Sequence, residues 1–290
     1  MNRSMHRWTV SSVICAAMFA SANAQQAKPT PPTSPPAAVD DVDLEHAQSL
    51  IGRALFLRNF YAANELTFDA EGKVAGTPKT TDWTLSGMDV LKAERRAPGR
   101  IELEGVRVAI RYNQDQHIFE RHPQKDDKLT VQVADSNQPK AFDAALAKIF
   151  STGIDPALQR SMPDFWVHYF TPAAPWPQDE LTGKPIYNTA AAPLPASATP
   201  ASPEKKVEPR PTNESERDHV KGTMQVRMVV DEQGAPKHVA VFLPIGYGLD
   251  ERTVEAVKQW RFKPAVKDQK PVPAGVILNQ GFDFVPPPHP

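Results

Sequence analysis

From residue 42 onward, apolar and polar positions fall into runs whose periods predict a fold of mixed helices and strands. Leu44, Ala47, Ile51, Ala54 and Leu55 recur at helical spacing behind Asp40, Asp41 and Asp43, whose charges suit a helix N-terminus. Glu65-Leu66-Thr67-Phe68 reads as a strand that runs into the turn Asp69-Ala70-Glu71-Gly72. Alternation continues through Trp83 and Leu85, then Ile101 and Leu103, then Val106, Val108, Ile110 and Tyr112, with Ala97-Pro98-Gly99 as a break. These runs predict antiparallel strands. A short strand at Leu129-Thr130-Val131-Gln132-Val133 precedes a helix opened by Pro139, with Phe142, Leu146 and Ile149 on one face and Gly153 past its end.

The pattern is sharper from Gly222. Met224, Val226, Met228 and Val230 share one face of a strand that ends at Asp231-Glu232-Gln233-Gly234. A second strand from about His238 to Leu243 carries Val239, Val241 and Leu243 on one face, which predicts a hairpin. Gly248-Leu249-Asp250-Glu251 opens a helix with two acids in its first turn. Leu249, Thr253, Val254, Val257 and Trp260 line one side of it, and Lys258 and Arg261 close it. Pro264 forbids continuation, and Val276, Leu278, Gln280, Phe282 and Phe284 alternate along a final strand. The order is β-β-α-β, a small antiparallel sheet with one helix. The class expected for the whole chain is α+β: this small sheet preceded by a separate α+β domain of mainly antiparallel strands.

Composition sets the boundaries. The chain has 30 prolines, concentrated near Pro29–Pro36 and from about Pro172 to Pro211, while glycine is ordinary. Such tracts favour extended, solvated backbone and read as semi-rigid spacers. At the start, Arg3, His6 and Arg7 precede an apolar stretch from Trp8 to about Ala20 that ends in Ala22-Asn23-Ala24, the pattern of a signal peptide. The expected division is a signal peptide over 1–24, a Pro-rich disordered segment over 25–41, an unidentified α+β domain over 42–171, a Pro/Ala-rich linker over 172–212 and a C-terminal domain over 213–286. The expected location is the periplasm. The alternative is an uncleaved inner-membrane anchor facing the periplasm. That requires about 20 continuous apolar residues, and this stretch is interrupted by Thr9, Ser11 and Ser12.

The only cysteine, Cys15, lies in the leader, so the mature chain is expected to have no disulfide, thiolate nucleophile or cysteine metal site. Net charge is −1 with basic and acidic residues interspersed, which argues against nucleic acid as a partner. His117-Ile118-Phe119-Glu120-Arg121-His122 offers two imidazoles and a carboxylate, but its spacing matches no metal motif and it reads as a polar loop. Glu102 and Glu104 share one strand face, where Arg100 and Arg107 are expected to pair with them. Asp164 and His168 flank the aromatic run Phe165-Trp166-Val167 and Tyr169-Phe170, which core packing explains. No catalytic residue, metal or cofactor is expected.

The C-terminal residues resemble the TonB C-terminal domain family. The resemblance rests on Asp231 to Gly234, Gly248-Leu249-Asp250-Glu251, Trp260-Arg261-Phe262-Lys263-Pro264-Ala265, Pro271-Val272 and Phe282-Asp283-Phe284, in that order, across about residues 215–285. Asp231, Gly234, Gly248, Leu249, Asp250, Trp260, Arg261, Phe262 and Pro264 are then structural motif positions, with Trp260 and Phe262 covering the sheet and Arg261 capping the helix end or pairing with an acid. The resemblance implies a non-enzymatic envelope protein, linked to energy-dependent transport across the outer membrane. It implies partner capture by strand addition, in which an extended segment of an outer-membrane TonB-dependent transporter pairs with the last strand, Gly275, Val276, Ile277, Leu278, Asn279, Gln280, Gly281 and Phe282. ExbB- and ExbD-like partners are implied only if the N-terminus is an uncleaved anchor, and a sheet this small is a candidate for steadying in a homodimer. The alternative is a periplasmic enzyme or scaffold whose N-terminal domain does the specific work.

Overall fold

The computed structural model describes residues 41–97, 99–135, 138, 140–188 and 196–283; the leader, Cys15, the first proline tract and Phe284 lie outside them. The Asp41 carboxylate accepts the Leu44 N–H at 3.1 Å and starts α1 (Val42–Gln48). The expected helix is shorter than its apolar spacing predicted. Gly52 takes φ 75° and turns the chain into β1 (Ala54–Leu57), so Ala54 and Leu55 are strand residues. β2 (Glu65–Phe68) follows. Trp83 and Leu85, expected on a strand, lie in a 3-10 turn because the Asp82 carboxylate accepts the Thr84 N–H at 2.7 Å and bends the backbone.

β3 (Gly87–Ala97), β4 (Arg100–Asn113) and β5 (Ile118–Ala134) form the long antiparallel ribbon of a six-stranded sheet. The segment His117 to His122, expected as a loop, begins β5: Asn113 faces Ile118, Arg111 faces Glu120 and Ala109 faces His122. A tight turn with His117 at φ 57° makes this pairing local, and backbone pairing outweighs the polar side chains. α2 (Ala141–Ile149), β6 (Phe150–Ser151), α3 (Pro156–Ser161) and α4 (Val167–Phe170) complete this part. The sheet order is β2-β5-β4-β3-β1-β6, with β2 parallel to β5 and the other pairs antiparallel.

The described parts of the second proline tract are largely exposed but include short strands that pair with the C-terminal sheets. β7 (Tyr187–Asn188), β8 (Ala198–Thr199) and β9 (Ser202–Lys205) lie within it, ahead of α5 (Asn213–Arg217). Then come β10 (Gly222–Val230), β11 (Pro236–Leu243), α6 (Leu249–Val257), β12 (Arg261–Lys263), β13 (Ala265–Lys267), β14 (Lys270–Val272) and β15 (Ala274–Phe282). β9 pairs with β12, β8 with β13, and β7 with β15. Extended proline-rich backbone already has a strand-like shape, so it can add to an edge wherever its remaining N–H and C=O groups face a partner. Helix α6 also stops earlier than predicted, at Val257. Trp260 and Arg261 therefore leave the helix, and Trp260 anchors the tract by donating its indole N–H to the Val207 carbonyl at 2.8 Å.

One apolar cluster unites the two halves. It joins Phe56, Trp83, Val108 and Ile110 to Trp166 and to Met224, Val226, Val254 and Trp260. A second cluster lies under α1 and α2 and includes Leu55, Ile101, Leu103, Val131 and Phe142. A bulge between Val106 and Val108 changes the pairing of β4 with β5, and beyond it β4 feeds the first cluster. There the Tyr112 N–H donates to the Ile245 carbonyl at 3.0 Å, and the Tyr247 N–H to the Ile110 carbonyl at 2.9 Å. The α+β class is as expected, but from Asp41 onward the described residues pack as one unit and the two sheets share a core.

Candidate functional site: an open strand edge and an acidic seam

β10 and β15 pair antiparallel over their full length, from Gly222 opposite Phe282 to Val230 opposite Ala274. On its other side β15 meets β7 only at Ala274 and Gly275, opposite Tyr187 and Asn188. From Val276 to Phe282, no strand pairs with that side among the described residues. Of the eight residues predicted to bind a partner, Gly275 is thus already engaged, while Val276, Ile277, Leu278, Asn279, Gln280, Gly281 and Phe282 lie along the open edge. Val276, Leu278 and Phe282 pack against the core; Ile277 is 47% exposed, and Asn279 and Gly281 are exposed too. At the other end of this sheet, β11 packs against α4 and α6.

The predicted motif residues build the scaffold behind that edge. Asp231 is buried, and its carboxylate accepts the N–H groups of Gln233 and Ala235 at 3.0 and 2.7 Å, which folds the hairpin turn. Gly234 takes φ 78° and accepts the Phe262 N–H at 2.9 Å; a Cβ there would lie 1.9 Å from the Phe262 oxygen. Trp260 and Phe262 are buried. Arg261 lies on β12, past the helix end, and donates to the Trp260 carbonyl at 2.7 Å; among the described residues it pairs with no acid. Gly248, at φ 71°, donates its N–H to the Thr84 hydroxyl at 2.7 Å, and Leu249 is buried beside it. Pro264 separates β12 from β13.

Asp250 is fully buried, and its two oxygens accept the Ile245 and Gly246 N–H groups at 2.9 and 2.8 Å. Burial pushes its carboxyl up to about 7 against those hydrogen bonds. Its neighbour Glu251 faces Asp82, from the 3-10 turn of the first sheet, in a carboxyl–carboxyl pair. Burial raises both: for Asp82 the Thr84 hydrogen bonds pull back down while the charge of Asp250 adds to the rise, and for Glu251 the charges of Asp82 and then Glu255 add to it, with Arg252 pulling the other way. This pair gives a pH prediction. A carboxyl raised in the folded state binds its proton more tightly there than when unfolded, so its stabilising contribution is complete below the ordinary carboxylate range and is lost as pH rises through the raised values. In metal-free buffer, the melting temperature should fall between about pH 6 and about pH 8. Glu251→Gln should flatten that slope in thermal melts, and an unchanged slope would mean that the pair does not carry it.

The other predicted candidates stay apart from one another. His117 meets the Tyr112 hydroxyl at 3.2 Å, and His122 lies 3.8 Å from Glu120. Among the described residues, no group of three or more His, Cys, Asp or Glu gathers as a metal cluster. Glu102 and Glu104 do share a face, but their partner is Arg96, with Glu102 at 2.7 Å. Arg107 instead turns inward to the Asn64 side chain at 2.7 Å. That correction comes from the hairpin register, which sets Glu94 opposite Glu102 and carries the strand on to Arg96. Phe165 and Trp166 join the core, while His168 stacks on Trp176, which stacks in turn on His238. Sequence reasoning missed Asp82, because the alternation of Trp83 and Leu85 beside it read as a strand.

Across the C-terminal part, the hairpin closed by Asp231 and Gly234, the helix opened at Gly248 and the strand ending at Phe282 stand in the expected order. Residues 209–284 match the family of the Gram-negative bacterial TonB protein C-terminal. No curated protein matches the chain. The TonB family is non-enzymatic, transport-related and envelope-associated, and its match stops short of the six-stranded sheet. No helix among the described residues is long and apolar enough to cross a membrane.

Proposed function

We propose that this chain is a periplasmic TonB-like binding protein, which captures an extended segment of an outer-membrane transporter by strand addition along β15 and so takes part in energy-dependent transport. The carrying observation is the edge itself: Val276 to Phe282 presents unpaired backbone and contains no charge and no proline. Open edges are usually blunted by charges, prolines or covers. The long strand β5 follows that rule, because upstream of its pairing with β2 it carries Pro123, Lys125, Asp126, Asp127 and Lys128. Among the described residues, Val276 to Phe282 has none of these devices, which suits a surface meant to be paired. Backbone N–H and C=O groups supply the affinity in this mode, and the exposed side chains of Ile277 and Asn279 meet whatever flanks the incoming strand.

Neighbouring residues of a strand direct their N–H groups to opposite sides, so the test uses adjacent positions, Asn279→Pro and Gln280→Pro. One of them removes a donor from the open edge and the other a donor from the β10 ladder. The expected result is a folded variant, checked by circular dichroism, that binds a transporter's periplasmic segment at least about tenfold more weakly, or about 1.4 kcal/mol. Two folded variants that both bind with unchanged affinity would overturn strand addition at this edge.

A further inference from the structure

Between the 3-10 turn at Trp83–Leu85 and the first turns of α6 lies a polar cavity of about 180 Å³, lined among others by Thr80, Thr81, Asp82, Thr212, Glu251 and Glu255. Asp82 is 5% exposed. Its Oδ1 is satisfied by the Thr84 N–H at 2.7 Å and by the Thr84 hydroxyl, while Oδ2 has no donor. What faces it is another acceptor, the Glu251 carboxyl. Glu255 stands one turn further along the helix at the cavity rim, and the only basic side chain lining the cavity, Arg252, is more than half exposed.

We propose that this cavity is a binding site for a hard divalent cation, Ca²⁺ or Mg²⁺, held between the Asp82 and Glu251 carboxylates. A buried carboxylate, Asp82, that shares a cavity with the half-buried Glu251 carboxyl needs something positive between the two, either a proton or a cation, because Asp82 has lost its hydration and the two charges repel. Every polar side chain on the lining except Arg252 offers oxygen, the donor that hard cations select. A water molecule takes up about 30 Å³ of liquid, so the cavity has room for an ion with several waters. That matches the small number of protein ligands: two carboxylates are too few for an all-protein cage, and Mg²⁺ in particular keeps most of its water when one or two carboxylates bind it. The Thr80, Thr81 and Thr212 hydroxyls border the same space and can hold those waters. The bound ion would tie Asp82, outside the segment that matches the TonB family, to Glu251, inside it. This site does not depend on the strand-addition reading of β15.

The test uses the full-length protein near pH 8, well above the ordinary carboxylate range. Millimolar Ca²⁺ or Mg²⁺ added to chelator-treated protein should raise the melting temperature by about 5 °C or more. Tb³⁺ should give luminescence sensitised by the adjacent Trp83 and displaced by excess Ca²⁺. Glu251→Gln keeps the side-chain shape, donates an amide N–H to Asp82 and removes one charge, so it should lose both responses; Asp82→Asn serves in its place if that variant does not fold. A wild-type protein with neither response, or a folded variant that responds like the wild type, would overturn the proposal.

Discussion

Trp83→Ala should lower the melting temperature of both sheets in one transition, and should not leave the C-terminal sheet melting separately at its original temperature. The side chain is completely buried, and its ring meets Phe119 and Trp166 at 5.2 Å, Phe170 at 6.1 Å and Phe56 at 6.2 Å. Truncating a core tryptophan typically costs about 3–5 kcal/mol, through lost transfer energy plus the cavity that remains. For a domain of this size that corresponds to roughly 10 °C. The same cluster contains Met224, Val226, Val254 and Trp260 from the TonB-like segment, so the cavity opens into their core as well. Calorimetry is the deciding measurement. If a second transition stays at the wild-type temperature, the shared core does not couple the two sheets.

The C-terminal fold was legible because its signals are local. Four alternating apolar residues from Met224 to Val230, a turn with Gly234 at positive φ and a helix with two acids in its first turn each declare themselves within one element. The same rules misplaced Trp83 and Leu85, since alternation over three residues cannot distinguish a strand from a 3-10 turn held by Asp82. They missed the start of β5 because Glu120, Arg121 and His122 look like a loop until β4 is known to lie opposite. They also missed β7, β8 and β9. Proline content predicts extended backbone correctly, but says nothing about whether an edge such as β12 or β13 waits beside it.

The site divides along the same line. Gly275 to Phe282 could be named from alternation and resemblance, and the structure adds that β7 occupies only the first of those positions. The acidic seam could not be read at all. Asp82 precedes the 3-10 turn at Trp83–Leu85 and Glu251 lies on α6, so they meet only through tertiary packing and no spacing motif encodes them. Asp250 and Glu251 show why a local reading stops short. Both are first-turn helix acids in sequence, yet one folds a loop through two backbone N–H groups while the other faces a second carboxylate.

Gly246→Ala should destabilise the protein by roughly 3–5 kcal/mol, while Gly281→Ala on the open edge should change stability by no more than about 0.5 kcal/mol. Gly246 adopts φ 90°, and a Cβ built there would lie 2.1 Å from the Ile110 oxygen and 2.9 Å from the Arg111 Cα, with nothing flexible to give way. The β4 backbone would have to retreat, and with it the bonds from Tyr112 to Ile245 and from Tyr247 to Ile110. The Gly246 N–H that satisfies one oxygen of buried Asp250 would move as well. Gly281 has open space where its Cβ would go, so the same substitution there tests the chemistry of alanine without the steric conflict. Denaturant melts of the two variants make the comparison, and transporter-segment binding adds a second readout. Equal stabilities would mean that the seam between β4 and the TonB-like loop is loose. A destabilised Gly246→Ala protein that still binds at a temperature where it remains folded would place partner capture on β15 alone, with the first sheet serving as its support.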